Sequence, residues 1–193
     1  NYERPQFKQL VVSPYATRKK FSQLVRQEMR NVEEGIGGRI ILKLNNLVDA
    51  AMIELLYAAS NAGVKIDVIV RGICCLIPGI PGMSENIRLR SIVGRYLEHA
   101  RVLYFENGGN ARYYISSADW MTRNLDRRVE VSVPIHDPLL QSQLAHCLED
   151  QLKDNVRARS LDASMKNTFV KGRKNQPLRD SQSETYRRYA ADE

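Results

Sequence analysis

The chain has 193 residues, 43% of them apolar, and a formal net charge of +7. That length supports one domain of ordinary size with a real core, and the apolar share excludes a disordered or fibrous chain. The charge favours an anionic partner without choosing among nucleic acid, other polyanions and acidic membrane. Cys74, Cys75 and Cys147 make no disulfide framework and point to a reducing compartment. The adjacent pair lacks the second Cys/His pair of a zinc site, so core packing is its expected role. No apolar run approaches the roughly 20 residues of a membrane span, and no secretory leader is visible. The first residue is Asn1, not Met, so a piece of a longer chain is expected.

Residues 7–13 (FKQLVVS) read as a strand stopped by Pro14. Thr17 is placed to cap a helix reaching about Glu34, with Phe21, Leu24, Val25 and Met29 on one face. Arg18, Lys19 and Lys20 read as a solvated basic face, with polyanion binding as the alternative. Gly35, Gly37 and Gly38 break the chain. Residues 39–44 (RIILKL) have the composition of a buried strand, closed by Asn45-Asn46. Residues 49–62 read as a helix with Ala51, Met52, Leu55, Leu56 and Ala59 inward and Gly63 ending it. Residues 64–70 (VKIDVIV) are a third strand. Strand, helix and strand in this register make a βαβ unit with a parallel pair and a right-handed crossover.

Ligands of open α/β sheets sit beyond the carboxyl ends of the strands, where Arg71-Gly72 lies. Arg71 is either a ligand-facing cation or a strand-end partner for a carboxylate. The loop 73–86 is too long for a mere connection. Residues 84–98 read as mostly helical.

His99 and Arg101 stand two apart at the head of the apolar run 102–105, so on a strand they share a face. Glu106 follows, then the turn signal Asn107-Gly108-Gly109-Asn110. Residues 113–115 read as a returning strand leading to Ser116-Ser117, Arg123, Asn124, Arg127, Arg128 and Glu130. An imidazole beside cations, hydroxyls and a carboxylate suits phosphoryl chemistry. Residues 131–133 complete a strand that Pro134 is expected to end. Residues 137–159 read as a long helix with Leu139, Leu140, Leu144, Leu148 and Leu152 inward. His136 and His146 lack the flanking pattern of His99. Residues 166–179 hold five basic and no acidic residues. The expected division is a catalytic domain over 1–160 and a basic tail over 161–193, partly helical or disordered.

The 96–130 stretch resembles the phospholipase D superfamily, with its His-x-Lys, an acidic residue five beyond the Lys, Gly-Ser-x-Asn and a later Glu. Here His99-Ala100-Arg101, Glu106, Ser116-Ser117-Ala118-Asp119 and Glu130 hold those places. The departures are Arg for Lys, Glu for Asp, Ser for Gly and Asp for Asn. They match one branch, the polyphosphate kinases, whose C-terminal domain is similar to YLEHARV, ENGG and SSADWMTRNLDRRVE as they stand here. The loop RGICCLIPGIPGMSENIR resembles that family too.

The resemblance implies an α/β, phospholipase D-like fold with a mixed central β-sheet flanked by helices. It implies reversible transfer of the terminal phosphate of ATP to inorganic polyphosphate through a phosphohistidine, with Mg²⁺. The phosphorylated histidine and the metal ligands would lie in a preceding domain, so no metal ligand is expected in this chain and the fragment alone is expected to be inactive. His99 resembles the second, catalytic histidine facing the phosphates. Arg71 takes the place of an arginine that contacts nucleotide phosphates, and Arg101 and Arg128 add positive charge. Ser116, Ser117 and Glu130 are expected to support the site, Glu130 by orienting the imidazole. The implied partners are ATP or ADP, polyphosphate, the remaining domains and further copies in a homo-oligomer, with no specific nucleic acid. The implied location is cytoplasmic, or peripheral to the membrane. Two rivals stay open. One is a homodimeric phosphodiesterase or nuclease in which each copy donates one His-x-Arg strand. The other is a non-enzymatic polyanion-binding module, although no helix-turn-helix or zinc pattern accompanies the charge.

Overall fold

A computed structural model describes residues 6–172 and 175–190. Along that chain run β1 (Val11–Ser13), α1 (Thr17–Glu33), β2 (Arg39–Leu44), α2 (Ala50–Asn61), β3 (Lys65–Val70), β4 (Ile87–Ile92), β5 (Arg101–Phe105), β6 (Arg112–Ser116), α3 (Thr122–Asp126), β7 (Glu130–Ile135), α4 (Pro138–Lys153), β8 (Ala158–Leu161), β9 (Asn167–Phe169) and α5 (Ser181–Ala190). The strands form one sheet in the order β1-β7-β6-β5-β2-β3-β4-β8-β9. β2, β3 and β4 are mutually parallel, and the other pairings are antiparallel. The architecture is the mixed α/β sheet that the sequence implies.

The centre of the sheet is buried on both faces, with β2 and β3 apolar along most of their length and Lys43 and Asp67 as their buried charges. On one face Ile40, Leu42, Leu44, Val68 and Phe105 pack under α1 and α2, with Phe21, Val25, Met52 and Leu56 facing them. Phe21 meets Tyr114 edge-on at 5.4 Å and Trp120 at 6.1 Å. On the other face Ile41, Val102 and Tyr113 pack with Leu148 of α4. Asp49 caps α2 by accepting from the Met52 amide.

Several expectations change. Only the last three residues of the 7–13 run are strand. Thr17 is the first helical residue of α1 rather than its cap, and its hydroxyl has no hydrogen-bond partner among the described residues. In α2, Ala51 is exposed and Leu55 half-buried, while Ile53 is buried. The 84–98 segment is not helical: Ile87, Leu89 and Ile92 point inward from strand β4 while Arg88 is exposed. The alternation Ile-Arg-Leu-Arg has a period of two, which a helix cannot bury. Pro134 does not end β7. It pairs with Tyr114, and β1 reaches only as far as Ser132, so the missing amide faces an unpaired edge. α4 stops at Lys153 because Asp154 turns the chain, its Oδ1 accepting from the amides of Val156, Arg157 and Ala158. Leu139 and Leu140 are exposed, and Leu148 is the buried leucine of that stripe. Cys74 packs half-buried against the core, whereas Cys75 is exposed.

The described residues after Ser160 pack against the rest of the chain. β9 extends the sheet beside β8. Asp154 Oδ2 accepts from both the amide and the hydroxyl of Ser181, fixing the start of α5 against α4.

Candidate functional site

Register brings the predicted site to one edge of the sheet. Lys43 pairs with Val102, so β2 ends where β5 begins. Leu44 pairs with Val70, Arg101 with Ser116, and Ser116 with Ser132. Arg71, His99, Arg101, Ser116, Ser117 and Glu130 therefore lie along consecutive strand ends. Arg128 stands just before β7, on the same side.

Asp119 is the hub of this edge. It is buried, and it accepts from the Asn45 amide at 2.8 Å, from Asn46 Nδ2 at 2.8 Å and from Arg101 Nε at 3.1 Å. Burial alone would raise its pKa, but the bonds from Arg101, Asn46 and Asn45 outweigh it and hold the carboxyl below its usual range. Asn45 Nδ2 and an Arg101 guanidinium nitrogen each donate to the His99 carbonyl at 3.3 Å. The backbone of His99 is thus pinned while the residue stays exposed. Asn45 Oδ1 accepts from Arg71 Nε. Asn46 Oδ1 accepts from the Ile73 amide at 3.0 Å, which ties down the start of the long loop. Gly72 lets the two segments meet, because a Cβ there would lie 2.7 Å from both the Asn45 carbonyl and Asn46 Oδ1.

Arg71 has no carboxylate partner among the described residues, so its charge stays available. Arg101 differs: its fork is occupied by Asp119 and the His99 carbonyl, which makes it a positioning residue rather than a free cation. Arg123, Arg127 and Arg128 are exposed and form no ion pair among the described residues. Arg18 does not belong to a solvated basic face with Lys19 and Lys20: it holds Asp49 at 2.7 Å and Asp126 at 2.6 Å and braces α1 against α2 and α3.

The support residues are wired differently from expectation. Glu130 accepts from Ser117 Oγ and, at 2.6 Å, from Asn124 Nδ2, and it makes no hydrogen bond to His99. It cross-links β7 to α3 instead of orienting the imidazole. Ser116 Oγ meets Ser132 Oγ at 2.7 Å and accepts from the Ala118 amide, inside the sheet. Asn45 and Asn46 join the site without having been expected there, although an amide pair directly after a buried strand stands where ligands collect; Asp119 enters the expectations only as the motif position that replaces Asn. Behind the edge, Glu98 accepts from Lys43 at 2.9 Å and from Gln151 and Gln182. No three His, Cys, Asp or Glu side chains gather to hold a metal among the described residues. Asp119 and Glu130 are both engaged by donors, so the residues of this edge do not fit a divalent ion.

Residues 10–182 match the family model described as polyphosphate kinase C-terminal domain 2. The chain belongs to this polyphosphate kinase family. It is 56% identical over 149 residues to polyphosphate kinase 1 of Chlorobaculum tepidum, covering 77% of this chain and 21% of that protein. It is 47% identical over 169 residues to the polyphosphate kinase of Escherichia coli K12, covering 88% of this chain and 25% of that one. The chain thus spans a quarter or less of these relatives' length. A crystal structure of polyphosphate kinase from Porphyromonas gingivalis superposes with a TM-score of 0.94 at 41% identity, over 100% of this chain and 29% of that one. Nuc, a phospholipase D family member from Salmonella typhimurium, superposes at 0.59 with 16% identity, covering 80% of this chain and 97% of Nuc. This last likeness carries the phospholipase D-like fold of the domain alone. No helix of the described residues is long and apolar enough to cross a membrane.

Proposed function

We propose that this domain supplies one wall of a polyphosphate kinase active site, which reversibly moves the terminal phosphate of ATP onto polyphosphate. The phosphorylated histidine and the ligands for Mg²⁺ belong to other parts of the longer polypeptide. In this chain His99 faces the transferring phosphoryl group. Its imidazolium donates a hydrogen bond or a proton to a phosphoryl oxygen, and its neutral form takes that proton back in the reverse direction. Arg71 and Arg128 neutralise phosphate charge, the dominant requirement of phosphoryl transfer. The Asp119 hub holds Arg101, Asn45 and the His99 backbone in fixed relation. The observation that carries the reading is that Asn45 joins His99 and Arg71 at one edge while, among the described residues, neither side chain is neutralised by a carboxylate.

The test is His99→Ala in the full-length enzyme, expected to lower turnover by about 10²–10⁴. His99→Gln should fare no better, since an amide does not exchange a proton at neutral pH. His136→Ala and His146→Ala serve as controls and should stay within about a few-fold of wild type, as neither stands at the phosphate edge. Near-normal turnover in His99→Ala, with loss in either control, would overturn the assignment. So would robust polyphosphate synthesis by the 193-residue chain alone.

A further inference from the structure

Arg71 and Val93 stand between two cavities at the carboxyl ends of β3 and β4. One, of about 350 Å³, is lined by Arg71, Gly72, Ser91, Arg159 and Asn167 over an apolar floor. The other, of about 290 Å³, includes Arg71, Arg95 and Glu98. Volumes near 300 Å³ are at the small end of ordinary ligand sites.

The larger cavity presents two guanidinium groups and no carboxylate. Arg71 donates to an amide oxygen. Arg159 donates to the Asn167 carbonyl at 3.4 Å and lies 4.0 Å over the Phe169 ring. Those partners are neutral, so among the described residues both charges remain uncompensated. The neighbouring Arg157 differs, since it pairs with Asp180 at 3.3 Å. In the smaller cavity Glu98 is neutralised by Lys43. Two like charges facing one cavity repel unless an anion lies between them, and guanidinium forks suit phosphoryl oxygens. Arg159 sits on β8, two strands from β3, whose end Arg71 follows. Two strand spacings put the two backbones about 10 Å apart, so a polyanion held at Arg71 engages Arg159 as well by extending across the cavity toward β8.

We infer that Arg159 is a further binding residue for the polyphosphate strand, gripping a phosphoryl unit remote from the one that reacts. This rests on the proposed function and adds a length-selective subsite to it. In the full-length enzyme assayed for ATP formation from ADP, Arg159→Ala should raise KM for long-chain polyphosphate about tenfold more than KM for tripolyphosphate, the worth of one charge-assisted hydrogen bond. Arg159→Lys should recover most of that loss. Phe169→Leu, which keeps the arginine and removes its ring contact, should leave the length preference as in wild type, as should Arg157→Ala. Equal changes at both chain lengths, no change, or a Phe169→Leu variant that reproduces the loss would overturn the subsite. Calorimetric titration of long-chain polyphosphate into wild type and Arg159→Ala separates this inference from the functional reading. Weakened binding by the variant in a protein without phosphotransferase activity would remove the functional reading and leave the subsite. Equal binding by both proteins would remove the subsite.

Discussion

Asp119→Asn is the sharpest test of the hub. The change keeps size and shape, removes the charge, and turns an N–H₂ toward groups that are themselves donors. Asp119 is 4% exposed and the Arg101 side chain 15%. Removing one partner of a buried pair costs about 3–5 kcal/mol. Water still reaches part of Arg101, and the substituted amide can accept one of the bonds, so the low end applies, about 3 kcal/mol. Trp120, the chain's one tryptophan, is fully buried beside the hub and reports unfolding by fluorescence. With a urea m-value of about 2 kcal/mol/M, the midpoint should drop by about 1.5 M at neutral pH.

The pH dependence follows from the sign of the shift. A carboxyl depressed in the fold contributes stability above its unfolded value, about 3.9 for Asp. That contribution disappears as pH falls through the lower folded value. The gap between wild type and Asp119→Asn should therefore be full at neutral pH and close in acid. Equal midpoints at neutral pH, or a gap that widens toward acid, would refute the reasoning.

Glu28 should behave with the opposite sign. Burial raises its pKa despite bonds from the amides of Asn107 and Arg39. Wild type should gain stability relative to Glu28→Gln as pH falls through that raised value, as paired urea titrations at neutral and mildly acid pH would show. Gly72→Ala should destabilise by about 1–3 kcal/mol, since the added Cβ has rigid neighbours at 2.7 Å. Turnover of the full-length enzyme should fall with it, because the displaced atoms belong to Asn45 and Asn46. A thermal melt and an activity assay on the same preparation check both effects.

Periodicity carried most of the fold. β2, β3 and α2 were legible because a buried parallel strand is continuously apolar and an amphipathic helix repeats every 3.6 residues. The errors lie where two patterns compete. The helix expected over 84–98 gives way to strand β4, whose first four residues, Ile87 to Arg90, alternate apolar and basic. The leucines of α4 show the other limit. Spacing gives a stripe, and only tertiary placement decides which part of it is covered. At the site, strand spacing puts only His99 and Arg101 on one face, and Ser116, Ser117 and Glu130 join them through the resemblance to the phospholipase D pattern. Neither shows which of them touch each other. That depends on register across β2, β5, β6 and β7, whose partners are far apart in sequence.

Register also explains why neighbouring arginines have different jobs. Arg101 begins β5 opposite Ser116, three residues before Asp119, and so meets a buried carboxylate. Its charge is absorbed, and what it contributes is rigidity. Arg71 follows the end of β3 and, among the described residues, meets an amide oxygen and no carboxylate. The amide holds its guanidinium in place without cancelling the charge. Asn45 therefore does what a carboxylate at that position could not: it orients a cation and leaves it free for an anion. An aspartate there would lose the Nδ2 bond to the His99 carbonyl and would neutralise Arg71 at the same stroke. The asparagine that ends the buried strand thus fixes both the geometry and the electrostatics of the edge, which makes it as much a part of the proposed phosphate site as the histidine it steadies.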